Sequence, residues 1–268
     1  KINFNRGFIM ARSFIYDNVG FSEATLQAGS FVQTGDSFAF TANSALISNL
    51  ERLQDQNISV SLGVGWIRYE VVQVDLGSQK SPDTIATYHQ TVAENNQLLI
   101  YASDSATSWV TDDYIATTSG TLPIDTWTVA SMPVTNKRYI YMYNGTNDNY
   151  ANISEMIIGT KYDFAVNPEL NAKTGEEFGT DIITSYGGNE YANKRHEPKT
   201  TWDWNWSHIL STQKTALEDL NASVQDWKKF IYDDETTKHY VRMTKPVTFT
   251  EVAPNVFSAN MSLREQLS

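Results

Sequence analysis

Residues 68–90 read RYEVVQVDLGSQKSPDTIATYHQ, and this stretch decides the fold class. Tyr69, Val71, Gln73 and Asp75 alternate with Glu70, Val72, Val74 and Leu76, the period of two that a β-strand imposes on its side chains. Apolar residues fall in both sets, which suits a strand inside a sandwich and not one at its rim. Gly77-Ser78 ends the run, and Pro82 delays the next strand until Ile85.

The same texture continues outward to residue 161. QLLIYASDSATSWVTD (97–112), TWTV (126–129), KRYIYMYNG (137–145) and NISEMIIGTKY (152–162) are β-branched and aromatic runs divided by Gly, Asn, Asp and Ser. This is the pattern of an antiparallel sandwich, expected over residues 66–161. Residues 1–65 read as an N-terminal arm or as the first strands of that sandwich. Phe4 to Tyr16 gives one or two strands, and Ala24 to Phe40, with Gly29 and Gly35, a hairpin or an extended arm. Leu46, Ile47, Leu50 and Leu53 stand at the spacing of a short amphipathic turn or helix.

Residues 162–268 change character and are expected to form a second β domain. Asp181 to Tyr186 offers a short strand. Lys199 to Trp206 then sets Trp202, Trp204 and Trp206 on one strand face and Asp203 and Asn205 on the other. Three such rings form either a sugar-stacking platform or a core or subunit-interface face, each indole removing roughly 150–250 Å² from water. The second reading is favoured because a long amphipathic helix follows, about 212–231, with Ala216, Leu217, Leu220, Val224, Trp227, Phe230 and Ile231 on one stripe. Ser211 or Thr212 is its expected N-cap. Strands at His239–Lys245, Val247–Glu251 and Val256–Leu263, separated by Pro246 and Pro254, close the chain.

Charge and composition exclude several functions. The net charge of −11 repels phosphate backbones, so nucleic acid is not an expected partner. The one dense basic cluster, Lys194-Arg195-His196 with Lys199, reads as a solvated or salt-bridged face. No apolar run approaches the roughly 20 residues of a membrane-spanning helix. With no cysteine there are no disulfides, thiolate zinc sites or Cys nucleophiles. The sequons at Asn57, Asn144, Asn152, Asn205, Asn221 and Asn260 are what an Asn-, Ser- and Thr-rich chain yields by chance.

The search for chemistry is mostly negative. His89, His196, His208 and His239 lack metal-ligand spacing, and neither a nucleophile elbow nor a phosphate-binding loop occurs. Adjacent carboxylates at Asp112-Asp113, Glu176-Glu177 and Asp233-Asp234 diverge on turns, whereas glycoside hydrolysis needs two converging across a cleft. The chain is therefore read as no enzyme, with no cofactor and no metal. Asp104, Trp109, Asp112 and Asp113 remain as a ligand-binding candidate. They form either a calcium or sugar rim or a turn that satisfies its own backbone amides.

Two resemblances add to this reading. Val-Asp-Leu-Gly-Ser (74–78), the strand at Ile85, Leu-Ile-Tyr-Ala-Ser-Asp-Ser (99–105), Trp109 and Arg-Tyr-Ile-Tyr (138–141) together resemble the galactose-binding-like jelly roll of the discoidin family. That resemblance implies the fold and a buried tryptophan. The family's bridging cysteines are absent here, so its fold is carried over without its sugar site. The Trp strand, the helix, Tyr-Val-Arg (240–242), Asn-x-Phe (255–257) and Leu-Arg-Glu-Gln-Leu (263–267) are similar to minor tail, distal-tail or baseplate proteins of long-tailed phages. This second resemblance implies a structural subunit of a virion tail tip, assembled in the host cytoplasm. Its partners would be copies of itself in a ring, six-fold by analogy, other tail proteins, and a host-surface glycan or fibre at the jelly roll. The alternative is a carbohydrate-binding module with no assembly role.

Overall fold

The computed structural model describes residues 12–47, 49–58, 70–89, 93–122, 125–145, 153–169 and 173–266. The chain divides into two compact units, Ile15–Lys161 and Tyr162–Leu267, the latter including the chain up to Phe14. Both are almost wholly β, as expected. Residues 15–58 belong to the same unit as the jelly-roll stretch. The expectations for Phe4–Ala11 and Tyr69 lie outside the described residues.

The strands of the first unit, in chain order, are β1 (Ser13–Tyr16), β2 (Thr25–Thr34), β3 (Ser37–Ala42), β4 (Glu70–Lys80), β5 (Thr84–His89), β6 (Ala93–Ser103), β7 (Ser108–Val110), β8 (Tyr114–Leu122), β9 (Thr126–Ser131), β10 (Lys137–Asn144) and β11 (Ile153–Asp163), with β1 and β11 running past the boundary. One sheet has the order β7-β3-β2-β4-β10-β6-β8, and β11, β5 and β9 are neighbours in the other. The expected hairpin forms between β2 and β3, whose Thr34 and Ser37 are paired across a two-residue turn with Gly35 at φ 60°. Such a turn needs positive φ, which glycine supplies without strain.

The geometry of the seven-stranded sheet is fixed by a short link. Its two edge strands, β7 and β8, are joined only by the 3-10 turn Thr111–Asp113. Four Cα steps reach about 15 Å. Six strand spacings across a flat sheet would place the edges about 29 Å apart. The sheet must therefore roll, and rolling encloses one of its faces.

Both faces of β4 consequently face a core. Val72, Val74 and Leu76 join Ile100, Ala102, Ile140 and Met142 against Ile85, Met156 and Ile158 of the other sheet. Val71 points the other way, into a cluster with Phe38, Phe40, Tyr101, Trp109, Tyr141 and Tyr143. Trp109 is its centre: the indole stacks on Tyr141 at 4.4 Å between ring centroids and on Phe38 at 5.2 Å and 3°. The approach of β11 to β1 depends on Gly159, where a Cβ would lie 1.9 Å from the Tyr16 carbonyl oxygen.

The second unit contains β12 (Lys173–Thr184), β13 (Glu190–Leu210), α1 (Ser211–Val224), β14 (Phe230–Asp233), β15 (Lys238–Ala253) and β16 (Val256–Glu265), with its strands in the order β12-β13-β16-β15-β14. The single helix forms, but it is shorter than its apolar stripe. Gln225 at φ 51° ends it, Trp227 stands half-exposed in the following turn, and Phe230 and Ile231 belong to β14. A run of Phe-Ile-Tyr continues a helical stripe by spacing alone, although it packs as a strand. Neither Ser211 nor Thr212 caps the helix: the N-cap residue is Leu210, with no side-chain bond.

Pro246 does not separate two strands. It lies within β15 where the register with β16 shifts between Lys245 and Thr248, a place where no ladder N–H is demanded of it. The short strand expected at 181–186 and the Trp strand are parts of one long hairpin. Residues 190–199 extend it, being too polar to read as a strand from their sequence.

Replacing Trp109 with Ala empties the centre of the rolled sheet. We expect a loss of about 3–5 kcal/mol in the first unit, read as lowered hydrogen-exchange protection of β10 amides. The exposed Tyr114→Ala should cost well under half of that.

Candidate functional site

Register assembles a polar rim at one end of the rolled sheet. Pairing of Lys137 with Lys80 and of Tyr139 with Ser103 brings the end of β4, the β6–β7 loop and the start of β10 together. Gln79 donates to Asp104 at 3.0 Å, and Asn136 donates to the Gln79 side-chain oxygen at 3.2 Å. The Lys137 ammonium lies 3.4 Å from Asp104 and 3.9 Å from Asp113. Next to these, Arg138 grips Asp75 through two bonds of 2.8 and 2.9 Å, and its guanidinium lies 5.0 Å from the Tyr139 ring centroid.

A buried floor holds the rim in place. Gln73, 4% exposed, donates to the Ala106 carbonyl at 2.7 Å and to the Tyr141 hydroxyl at 2.8 Å. Tyr141 donates in turn to the Ser105 carbonyl at 2.5 Å. The β6–β7 loop is thus tied at two consecutive carbonyls to groups of the sheet beneath it. Burial pushes the Tyr141 hydroxyl up to about 12, so it remains a neutral donor. At the rim, the Gln79 amide and then Lys137 hold Asp104 below the usual carboxylate range, and Arg138 does the same for Asp75. The rim therefore offers carboxylates, amides and cations in fixed positions at neutral pH.

The sequence candidates separate here. Asp104 and Asp113 meet on Lys137. Asp112, exposed on the same turn, takes no part in the cluster. Trp109, 1% exposed, is not on the rim at all: the buried tryptophan implied by the jelly-roll resemblance is the one found. The acidic turn satisfies one of its own backbone amides, because Asp113 also accepts from the Val110 amide at 3.0 Å. Calcium does not fit the group, since the Lys137 ammonium sits between the two carboxylates a cation would need, and Ca²⁺ takes six to eight oxygens. Among the described residues no cluster of three or more His, Asp or Glu is placed to hold a metal. Sequence reading missed Gln79, Asn136, Lys137 and Arg138. They are remote along the chain from Asp104, and only strand register joins them.

Trp202, Trp204 and Trp206 are 7%, 3% and 1% exposed, core residues of the second unit and not a platform. Trp204 stacks on Phe14 at 5.7 Å and meets Tyr232 edge-on at 4.7 Å, and Trp206 donates to the Val166 carbonyl at 2.9 Å. The aromatic partners of these indoles come from Phe14, Phe164, Tyr232 and His239, none of which lies on α1.

Three of the other paired carboxylates are engaged elsewhere. Glu177 bonds Arg264, Asp233 faces Lys238 at 3.9 Å, and Asp234 faces His239 at 3.6 Å. His89 is buried beside Thr87 at 2.8 Å, and burial pushes its imidazole down to about 4. His239 is the opposite case. Its ring nitrogens face Glu265 at 3.1 Å and Asp234, between Tyr232 and Trp202.

Neither a family model nor a curated protein matches the chain. Several solved structures are similar to it over about half its length. Chitosan-binding module 2 from the chitosanase/glucanase of Paenibacillus sp. IK-5 is 12% identical, with 53% of this chain and 98% of that one covered and a TM-score of 0.37. The family 32 carbohydrate-binding module of C. perfringens NanJ is 16% identical, with coverages of 56% and 99% and a TM-score of 0.35. A fucose-binding module of Streptococcus pneumoniae is 14% identical, with coverages of 53% and 94% and a TM-score of 0.35.

The Glu265 bond, then burial in the opposite sense and Asp234, leave the His239 imidazolium favoured, its pKa raised above 6.5. A raised folded value means that the stabilisation is full below the unfolded pKa and is lost as pH rises through the folded one. The urea midpoint of the second unit should thus be higher at pH 6 than at pH 8.5, and His239→Gln should remove that difference. Equal midpoints in the parent chain would contradict this.

Proposed function

We propose that this chain is a non-catalytic glycan-binding protein, with the rolled sandwich as its recognition module. One observation carries the reading, the fixed polar rim of Gln79, Asp104, Asp113, Asn136 and Lys137. A sugar hydroxyl is donor and acceptor at once, so it is best met by carboxylate, amide and ammonium groups set side by side. Charged partners strengthen such bonds, and a floor that holds the loop reduces the ordering cost of binding. The carboxylates of the rim share Lys137, which leaves neither of them as a lone acid or base for hydrolysis.

A second reading is favoured by a different feature, the hairpin of β12 and β13. In that reading the second unit is an assembly module of a virion tail tip and the sandwich is displayed for host-surface glycan or fibre contact. An assembly subunit needs an open strand edge and exposed apolar side chains, and this hairpin supplies both.

The glycan reading is tested by screening the purified chain on a glycan array. Hits are then followed by calorimetric titration, with chitotriose and galactose included as probes. Asp104→Ala and Lys137→Ala should each weaken a bound glycan about tenfold or more, the effect of losing a charge-assisted hydrogen bond. Both side chains are substantially exposed, so thermal stability should change little. No binding across the array, or binding unchanged in both variants, would sink the reading.

A further inference from the structure

The hairpin of the second unit has an uncovered outer half. The β13–β16 ladder begins at Thr201, opposite Gly175 of β12. From Glu176 to Thr200 the two strands ladder only with each other among the described residues, a ribbon about 30 Å long whose base alone is tied to β16 by Glu177–Arg264 and by the Thr200 amide on Glu265. Two-stranded ribbons are marginal in water. This one also exposes Phe178, Ile182, Ile183, Tyr186 and Tyr191, each more than 60% accessible. They are five of the twelve large exposed hydrophobic residues among those described, gathered in a span of fourteen residues. Ile182 and Ile183 are neighbours in a strand, so both faces of the ribbon are apolar there.

The two edges differ in charge. On β12, Glu176, Glu177 and Asp181 give three negative charges with no cation between Thr174 and Thr184. On β13, Lys194, Arg195 and Lys199 against Glu190 and Glu197 give a net charge of +1 between Glu190 and Thr200. Pairing β12 with β12 of another copy would set acid against acid, which cross-strand neighbours disfavour. Pairing β12 with β13 sets acid against base.

It also continues the antiparallel alternation, with both hairpins pointing the same way. The hairpin itself already shows the pairing chemistry: Arg195 bonds Asp181 across it.

We propose that the Glu176–Thr200 hairpin is a head-to-tail self-association arm, in which the outer edge of β12 on one copy pairs with the outer edge of β13 on the next. Association of this kind is heterologous, so each added copy leaves one acidic and one basic edge open. Growth therefore passes the dimer. The inference rests on the assembly reading of the second unit and is independent of glycan recognition.

The test is the mass of the full chain in solution against concentration, by light scattering or sedimentation. The parent chain should climb beyond twice the 30.2 kDa of a single copy. In the variant Lys194→Glu/Lys199→Glu both edges become acidic, and in Glu176→Lys/Asp181→Lys both become basic. Each alone should remain at the mass of one copy, and their equimolar mixture should associate again. That rescue cannot come from misfolded arms.

A parent chain that associates equally well with either variant's substitutions overturns the arm and leaves assembly through another surface. A parent chain that stays at the mass of one copy throughout overturns both the arm and the assembly reading. Glycan titration of the single-copy variants reads the sandwich separately.

Discussion

Three residues, Thr111–Asp113, tie one edge of a seven-stranded sheet to the other, and the rest of the sandwich follows from that tie. A sheet held edge to edge cannot lie flat, so the face that an open sheet would turn to water becomes an interior. That interior must be filled to the density of a core, or the sheet would enclose a cavity. The residues pointing into it are large and aromatic: Phe38, Phe40, Tyr101, Trp109, Tyr141 and Tyr143. The inward face of the same strands is aliphatic, with Val72, Val74, Ile100, Ile140 and Met142 packed on the other sheet. The two fillings differ because a rolled face is wide and needs bulk, whereas two facing sheets interdigitate with smaller branched side chains.

The rim depends on the roll. Tyr141 and Gln73 belong to the enclosed face, yet their polar ends reach its mouth and hold the β6–β7 loop by its carbonyls. An aromatic body inside and a hydroxyl at the opening is an economical use of tyrosine, since the ring fills volume and the oxygen still finds a partner. The same loop delivers Asp104 to Gln79 and Lys137, so packing of the interior positions the polar groups outside. The placement of the rim's polar groups is therefore second-hand: it is set by ring packing below the surface.

Legibility in the sequence followed the range of the interactions. The period-two pattern of residues 70–76 and the turn at Gly35 are local, and both were readable. The apolar second face of β4 was visible as well, although its cause, a rolled sheet, depends on how β7 and β8 sit at opposite edges. The acidic turn at Asp112-Asp113 could be seen, but Lys137 could not be joined to it without the β10 register. Trp109 shows the limit most clearly, because the sequence sets it among the ligand candidates while the jelly-roll resemblance implies a buried ring, and only its contacts decide. The helix end failed for a related reason: apolar spacing runs on from Val224 to Phe230, while the break comes from the backbone of Gln225. Likewise, the polar stretch 190–199 carries no strand pattern, and its strand is imposed by pairing with β12.

The two units place their apolar surface in opposite ways. The sandwich unit encloses most of its large aromatics and shows polar groups at the rim. The second unit also buries the three indoles of β13, yet leaves Phe178, Ile182, Ile183, Tyr186 and Tyr191 in water on a ribbon that no third strand supports among the described residues. Such exposure costs stability and solubility, and the strongly negative net charge of the chain opposes indiscriminate aggregation. Charge of one sign over the whole chain opposes indiscriminate contact, while a local difference between two strand edges permits one pairing and discourages the other. In the proposed pairing, specificity would come from the acidic β12 edge, which disfavours its own kind, and attraction from the apolar residues.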